Sequence, residues 1–116
     1  MTKKEIEPIW NSYLEAYGNV SREDRERLLR QSVTEDVISL NPGDECQSIK
    51  ALTRHIEVFQ TRMPGAYFKV NKLQVHHDHL LSEWTLFKGD NAAIATGHTH
   101  AKVNEQGFVT ELCGFF

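Results

Sequence analysis

The part of the sequence that most constrains the fold is residues 66–116, which consist almost entirely of β-strand segments. Four segments are rich in Val, Ile, Phe, Thr and Trp, which favour strands: residues 66–77, 79–88, 92–103 and 108–116. Because the connections between these segments are short, consecutive strands are predicted to pair antiparallel as a meander. Such a sheet must bury one face, and the first half of the chain is available to cover it.

The first predicted strand also indicates that the sheet is curved. Its apolar side chains lie at even positions up to Val70 and at odd positions from Leu73 onward. Since strand side chains alternate between two faces, one extra residue near 71–72 would keep both sets on the same face. We therefore predict a β-bulge there, with a bend in the sheet.

The first predicted helix covers residues 3–18, where apolar side chains recur at helical spacing. The sequence does not decide whether this helix begins at residue 3 or nearer to residue 8. A capping box formed by Thr2 and Glu5 favours a start at residue 3, whereas Pro8 is best tolerated in a first helical turn. Gly18 tolerates a left-handed backbone and is predicted to end the helix.

Two further helices and a strand are predicted before residue 66. One helix runs from a Ser21 cap to about Ser32, and another from a Ser48 cap to Met63, with a short strand at 35–41 between them. The fold class is therefore α+β. We predict three N-terminal helices packed in the concave face of a curved, mostly antiparallel sheet.

Composition excludes several classes of partner. Lys plus Arg number 13 against 16 Asp plus Glu, so the net charge is -3 and no basic surface for nucleic acid is expected. No apolar run is long enough to cross a membrane, and the N-terminal segment lacks the apolar core of a secretory signal. The two cysteines, Cys46 and Cys113, have no metal-binding or disulfide-framework spacing, which favours a reduced, cytoplasmic location.

Short motifs are spread along nearly the whole chain: Trp10-x-x-Tyr13, Arg27-Leu28-Leu29, Pro64-Gly65-x-x-Phe68, His76-His77-Asp78 followed by Trp84, Gly97-x-Thr99-x-Ala101, Gly107, and Gly114-Phe115-Phe116. Their order and spacing resemble the nuclear transport factor 2-like (NTF2-like) superfamily, and most closely its SnoaL-like, polyketide cyclase-like branch. The resemblance implies a single domain over residues 1–116 with the cystatin-like cone, in which a pocket forms between the curved sheet and the helices.

The function implied by this resemblance depends on the residues in the pocket. The superfamily includes ketosteroid isomerase, limonene epoxide hydrolase, scytalone dehydratase, polyketide cyclases and non-catalytic binding or transport proteins. Ketosteroid isomerase uses a first-strand Asp before a Pro as its base, and a helix-one Tyr with a protonated strand Asp as its oxyanion hole. The corresponding positions here are Asn41, Tyr13 and Thr99. Because a neutral amide cannot act as a general base, enolisation by the isomerase route is not expected.

A provisional register identifies the apolar face of the sheet. Pairing Phe87 with Ala92 places Trp84 opposite Ala95 on the face that meets the helices. Eight residues are predicted to line a ligand pocket there: Tyr13, Tyr17, Asn41, Phe59, Trp84, Thr99, Leu112 and Phe116. The alternative is that these side chains simply fill the core.

The opposite face of the sheet is rich in histidine. Pairing Val103 with Phe108 in the last hairpin creates a cross-strand row of possible metal ligands: His79, His100 and Glu111, with His98 nearby. Histidines equally suit a solvated face or an interface, and His55 on the third helix is expected to be a partly buried structural residue. We therefore predict no metal and no cofactor.

Two classes of function stay open. The first is an isomerase, cyclase, dehydratase or hydrolase, in which Tyr13 and Thr99 donate hydrogen bonds to an oxyanion. Its base would be His76 or Asp78, provided that the pocket opens near them. The second is a non-catalytic protein that binds a small apolar molecule, and the absence of both expected carboxylates favours it.

The outer face of the sheet is also predicted to carry a row of apolar side chains: Leu81, Phe87, Ile94, Val109 and Phe115. A small monomer seldom leaves such a set exposed. The resemblance points the same way, because dimers of the superfamily usually bury this face. We therefore predict a homodimer that associates through the outer face of the sheet.

Overall fold

The computed structural model describes residues 2–116, which form three α-helices and six β-strands. The helices are α1 (Lys3–Ala16), α2 (Arg22–Arg30) and α3 (Ile49–Arg62). The strands are β1 (Val33–Asn41), β2 (Asp44–Gln47), β3 (Tyr67–His76), β4 (His79–Phe87), β5 (Ala93–Val103) and β6 (Val109–Phe115). The sheet order is β2-β1-β6-β5-β4-β3, antiparallel except where β1 runs parallel to β6. The predicted α+β class and antiparallel meander are confirmed.

Helix α1 begins at the capping box rather than at the proline. The side-chain oxygen of Thr2 accepts a hydrogen bond from the backbone N–H of Glu5 at 3.3 Å, and the Glu5 carboxylate accepts from the backbone N–H of Thr2 at 3.0 Å. Pro8 lies inside the helix, where it removes one backbone donor.

The end of α1 does not use a left-handed glycine, so that prediction is wrong. The cap residue Tyr17 is right-handed helical, and Gly18 has no positive φ. The free carbonyls are instead satisfied by Arg25 of α2. Its Nε donates to the carbonyl of Ala16 at 2.9 Å, and its guanidinium donates further to Gly18 at 2.9 Å and Val20 at 3.2 Å. Arg25 is only 4% exposed, so it ties α2 to the end of α1.

The sequence analysis missed β2, which forms a hairpin with β1. Its residues Asp44–Gln47 are mostly polar types that are rare in strands, so no local pattern predicts it. The chain then turns sharply at Ser48, which has φ 94° and ψ 154°. The backbone N–H of Ser48 donates to the carbonyl of Val37 at 2.9 Å, and its hydroxyl caps α3 by accepting from Ala51 at 3.2 Å. This turn brings α3 into contact with β2.

Among residues 2–116 the register of the sheet shifts at four places: between Val33 and Ile38 of β1, where it pairs with β6, and at β-bulges in β3, β5 and β6. The bulge in β3, between Val70 and Lys72, is where we predicted it. The others lie in β5 and β6. Phe87 pairs with Ala93 but Leu86 with Ala95, which leaves Ile94 as the extra residue.

The bulge in β5 changes the partner of Trp84 but not its face. Trp84 pairs with Gly97, two residues from the predicted Ala95. Since side chains on a strand alternate, a shift of two residues leaves the side chains from Ala95 to Lys102 on their predicted faces. Ala93, which precedes the bulge, instead pairs with Phe87 of the outer face.

The bulge in β6 overturns two predictions about the outer face. Val103 pairs with Val109 but Lys102 with Glu111, so Thr110 is the extra residue. As a result Val109 is turned inward and fully buried, and it is not part of an outer apolar row. Glu111 moves two residues away from its predicted partner His100, so the predicted row of metal ligands is not formed.

The buried core lies between the helices and the concave face of the sheet. Its largest fully buried side chains include Ile6, Trp10, Leu29, Leu52, Ile56, Leu80 and Leu112. None of the helices described between residues 2 and 116 combines the length and apolar character that a membrane span requires.

Candidate functional site

A partly open pocket of about 190 Å³, here called the inner cavity, lies between α1, α3 and the concave face of the sheet. All eight residues predicted to line a pocket border it: Tyr13, Tyr17, Asn41, Phe59, Trp84, Thr99, Leu112 and Phe116. The sequence analysis missed other lining residues, among them Ser39, His55, Phe68 and Leu86. Parity along β1 and β4 could have indicated Ser39 and Leu86, because each lies on the same face as a predicted neighbour.

Six of the sixteen residues that line the cavity are Phe, Tyr or Trp, and their rings contact one another. Phe68 of β3 lies at the centre of these contacts, with ring centroids 5.5 Å from Tyr17, 5.7 Å from Phe59 and 4.9 Å from Trp84. Trp84 in turn contacts Phe116 at 5.8 Å. Large, stiff rings that contact one another edge to face or stacked hold a cavity open with little loss of side-chain entropy.

The position of Trp84 depends on the glycine opposite it. A Cβ atom built on Gly97 would lie 2.5 Å from Cη2 of Trp84, so only glycine leaves room for the indole ring. The ring nitrogen Nε1 of Trp84 then donates a hydrogen bond to Oγ1 of Thr99 at 2.9 Å. Because Thr99 accepts this bond, its own hydroxyl proton is left to donate to another group.

The tyrosines of α1 provide the second hydroxyl donor. Tyr13 donates to the hydroxyl oxygen of Tyr17 at 3.3 Å, which leaves the hydroxyl proton of Tyr17 free. Burial raises the pKa of Tyr13 well above its usual value and raises the pKa of Tyr17 to about 12. Both hydroxyls are therefore neutral at physiological pH. The hydroxyl that can still donate a hydrogen bond to a ligand is that of Tyr17, because Tyr13 donates its own proton to Tyr17.

No protein-family model and no curated protein matches this chain. Several solved structures do match it. A proposed isomerase of the SnoaL-like family from Agrobacterium tumefaciens aligns with a TM-score of 0.88 at 22% identity, covering 97% of each chain. A proposed SnoaL-like polyketide cyclase from Jannaschia sp. CCS1 aligns with a TM-score of 0.78 at 15% identity, over 97% of this chain and 84% of that one. A ketosteroid isomerase-like protein from Catenulispora acidiphila, solved in complex with trimethylamine, aligns with a TM-score of 0.76 at 10% identity, over 93% and 84%. The chain has the NTF2-like fold. The resemblance read from the motifs is therefore confirmed for the fold.

Within this NTF2-like fold, both positions expected to carry carboxylates are neutral. Asn41 borders the cavity, and its side-chain oxygen accepts a hydrogen bond from the backbone N–H of Gly43 at 2.9 Å. Thr99 occupies the other position. Among residues 2–116, the side chains that line the cavity include no Asp, Glu, Lys or Arg. The wall is thus mainly apolar, with a few neutral hydrogen-bonding groups and the imidazole of His55.

The predicted alternative bases are not at the cavity. His76 and Asp78 are exposed near the turn between β3 and β4, at the end of these strands remote from Leu86. His76 borders a separate surface depression instead. The histidine at the cavity is His55, whose Nδ1 lies 3.2 Å from Oδ2 of Asp44.

The histidines of the outer face form pairs rather than a metal centre. Nδ1 of His79 lies 3.0 Å from Nε2 of His100, and Nε2 of His98 lies 3.5 Å from Glu83. In the part of the chain that the structure describes, this face brings no three ligand atoms within 4.8 Å of one another.

A larger groove of about 830 Å³ runs along the surface between α1 and β3. Its borders include exposed charged side chains such as Lys3, Glu7 and Lys69, all of which point into solvent. Ligand sites are usually concave and mainly apolar, with a few converging polar groups. The inner cavity fits that description, and the surface groove does not.

Proposed function

We propose that this protein binds a small, neutral, largely apolar molecule in the inner cavity and does not transform it. The observation that carries the proposal is a wall without Asp, Glu, Lys or Arg, with Asn41 and Thr99 where the resemblance leads us to expect carboxylates. The imidazole of His55 already faces the carboxylate of Asp44, so an ionised ligand would lose its hydration there without gaining a free partner of opposite charge. A neutral ligand loses much less hydration free energy when it enters the cavity.

The size and donors of the cavity define the ligand class further. The volume of about 190 Å³ is slightly larger than the roughly 150 Å³ cavity that accommodates benzene in another protein. One substituted ring therefore fits. The free hydroxyl protons of Thr99 and Tyr17 favour a ligand with one oxygen that can accept a hydrogen bond.

Three probes of similar size test this proposal by calorimetry on protein treated with a metal chelator: 4-methylphenol, toluene and benzoate. We expect 4-methylphenol to bind most tightly and benzoate not to bind at neutral pH. Thr99→Val should weaken 4-methylphenol about five- to tenfold relative to toluene, the effect of one lost hydrogen bond to the ligand. The variant also removes the acceptor of the Trp84 indole N–H, which affects both probes, so the ratio of the two affinities is the readout.

The matched control for this titration is Thr96→Val. Thr96 lies on the same strand, is exposed on the outer face, and should affect neither probe. Tight benzoate binding, or a Thr99→Val variant that binds 4-methylphenol like the wild type, would contradict the proposal.

The second candidate is an isomerase, cyclase, dehydratase or hydrolase, and the position of His55 favours it. Asp44 holds Nδ1 of His55, so Nε2 is the nitrogen that could exchange a proton with a substrate. Tyr17, oriented by Tyr13, and Thr99 would donate hydrogen bonds to the substrate oxygen. Turnover of a bound compound that disappears in His55→Gln would support this candidate over simple binding.

We further propose that the chain forms a homodimer through the outer face of the sheet. Three exposed apolar side chains support this proposal. The exposed fraction is 40% for Leu81, 44% for Ile94 and 59% for Phe115. Phe87 is half-buried, because it stacks on Tyr67. Covering the exposed set removes apolar surface from water, which is the main driving force for association.

Sedimentation equilibrium at micromolar concentration should therefore give twice the chain mass of 13.3 kDa. Leu81→Glu should produce a monomer, because two buried carboxylates would be unpaired across the interface. Val58→Glu is the control, since Val58 is 46% exposed on α3, away from this face. A wild-type monomer would rule out the dimer.

A further inference from the structure

The β1–β2 hairpin and helix α3 bring three different metal-ligand types together beside the cavity. Asp44 and Cys46 are two residues apart on β2, so their side chains share one face of the strand. This hairpin packs against α3, which carries His55. One potential ligand atom from each residue lies within 4.8 Å of the other two.

The separations suit a tetrahedral ion. With metal–ligand bonds of about 2.0–2.3 Å, ligand atoms around tetrahedral zinc lie about 3.3–3.6 Å apart. Nδ1 of His55 is already 3.2 Å from Oδ2 of Asp44, and the Cys46 sulfur lies within 4.8 Å of a ligand atom of each.

A hydrogen bond and strand pairing also orient two of these potential metal-binding residues. The other carboxylate oxygen of Asp44 accepts a hydrogen bond from the backbone N–H of Glu45 at 2.8 Å, which directs Oδ2 toward His55. Cys46 is buried and fixed by backbone pairing with Ser39 on β1. Metal ligands are commonly oriented by such outer hydrogen bonds.

We propose that Asp44, Cys46 and His55 form a binding site for a divalent transition-metal ion, with Zn²⁺ as the best match. A sulfur, nitrogen and oxygen donor set favours zinc over magnesium or calcium, which prefer oxygen ligands alone. Three protein ligands leave a fourth position for water or another molecule. Since His55 also lines the inner cavity, that position would be next to the ligand site.

A catalytic cysteine is the rival explanation of this cluster, and the surroundings of the thiol argue against it. Burial and the negative charge of Asp44 raise the pKa of Cys46, whereas a nucleophilic cysteine needs a lowered one. A bound cation would instead stabilise both the thiolate and the carboxylate. The proposal stands independently of the ligand in the cavity, because the site has its own ligand atoms.

Titration of the reduced protein with Co²⁺ and Zn²⁺ tests the site. We expect one ion per chain, with Co²⁺ producing the near-ultraviolet absorption band of a cobalt–thiolate bond. Cys46→Ser should abolish this band, and His55→Gln and Asp44→Asn should each weaken Zn²⁺ binding by about tenfold or more, as loss of a ligand does. Circular dichroism of the metal-free variants checks that each one folds.

Two matched controls separate this site from the other thiol and from the histidines of the outer face. Cys113→Ser and His98→Gln should bind Co²⁺ like the wild type, with the thiolate band intact. The proposal is overturned if the wild type shows no thiolate band, if the band is lost in Cys113→Ser, or if binding depends on His98 and survives in Cys46→Ser. Because no cavity ligand is present in this titration, its outcome does not depend on the proposed binding function.

Discussion

Replacing Gly97 with alanine should lower the free energy of unfolding by about 2–3 kcal/mol, the cost of overpacking a well-packed site. The new Cβ atom would lie 2.5 Å from Cη2 and 2.6 Å from Cζ2 of Trp84, and 3.0 Å from the carbonyl oxygen of Phe115. The indole ring cannot move freely, because Phe68 and Phe116 contact it and Thr99 accepts its hydrogen bond. The added methyl group therefore strains the packing of Trp84 and its neighbours in the cavity wall.

Urea unfolding measures this loss, and the indole N–H resonance of Trp84 reports whether its bond to Thr99 is broken. Affinity for 4-methylphenol should fall as well, since Trp84 forms part of the wall. Thr96→Ala, one residue earlier and on the exposed face, is the control and should change stability by less than about 0.5 kcal/mol. A Gly97→Ala variant as stable as the wild type, with an unshifted indole resonance, would show that Trp84 is not where we describe it.

Replacing Arg25 with methionine should lower the free energy of unfolding by about 3 kcal/mol, because buried hydrogen bonds to a charged group are lost. The guanidinium of Arg25 donates to the carbonyls of Ala16, the last residue of α1, and of Gly18 and Val20, which follow it. Methionine keeps much of the side-chain volume but removes this donor from all three carbonyls, of which Gly18 keeps a hydrogen bond from the backbone N–H of Val20. The end of α1, including Tyr17, should become less ordered.

The matched control is Arg27→Met on the same helix. Arg27 is exposed and pairs with Asp24 at 3.4 Å, an interaction that contributes at most about 1 kcal/mol at a surface. Urea midpoints for both variants give the comparison directly. Equal, small changes would contradict the role assigned to Arg25.

The helices could be predicted from the sequence because their signals are local. Thr2, Ser21 and Ser48 each accept a hydrogen bond from the first turn of the helix that follows, as capping residues do. Arg25 could not be predicted, because its partners lie at the end of another helix. An arginine in a charged helical segment normally points into solvent, and only the packing of α2 on α1 buries this one.

The strand pairing explains why residues that line the cavity could be predicted, whereas the positions of Val109 and Glu111 relative to the outer face could not. Phe87 pairs with Ala93 rather than the predicted Ala92, and the bulge at Ile94 adds a second residue to the shift. The total shift of two residues preserves the faces of the sheet beyond the bulge and therefore the predicted position of Thr99 in the lining. The bulge at Thr110 moves Val109 to the other face and separates Glu111 from the histidines. Bulges depend on how two strands meet, so the sequence of one strand does not reveal them.

The cluster beside the cavity depended on β2, which has no strand signature of its own. Asp44 lies between the predicted strand at 35–41 and the predicted helix from Ser48, where no helix or strand was predicted, and Cys46 has no partner within metal-binding spacing. Both approach His55 only because Ser48 adopts a backbone conformation that is rare outside glycine and turns the chain into α3. A residue in that conformation cannot be identified from its type.

Mapping 4-methylphenol on the ¹⁵N-labelled protein by NMR tests most directly whether the inner cavity is the ligand site. We predict that the largest shifts occur at the indole N–H of Trp84 and at the backbone amides of Tyr17, Thr99 and Gly114, all of which border the cavity. The groove between α1 and β3, reported by Lys69 and Lys72, should stay unchanged. Shifts confined to that groove or to the outer face, or none at millimolar probe, would contradict the account.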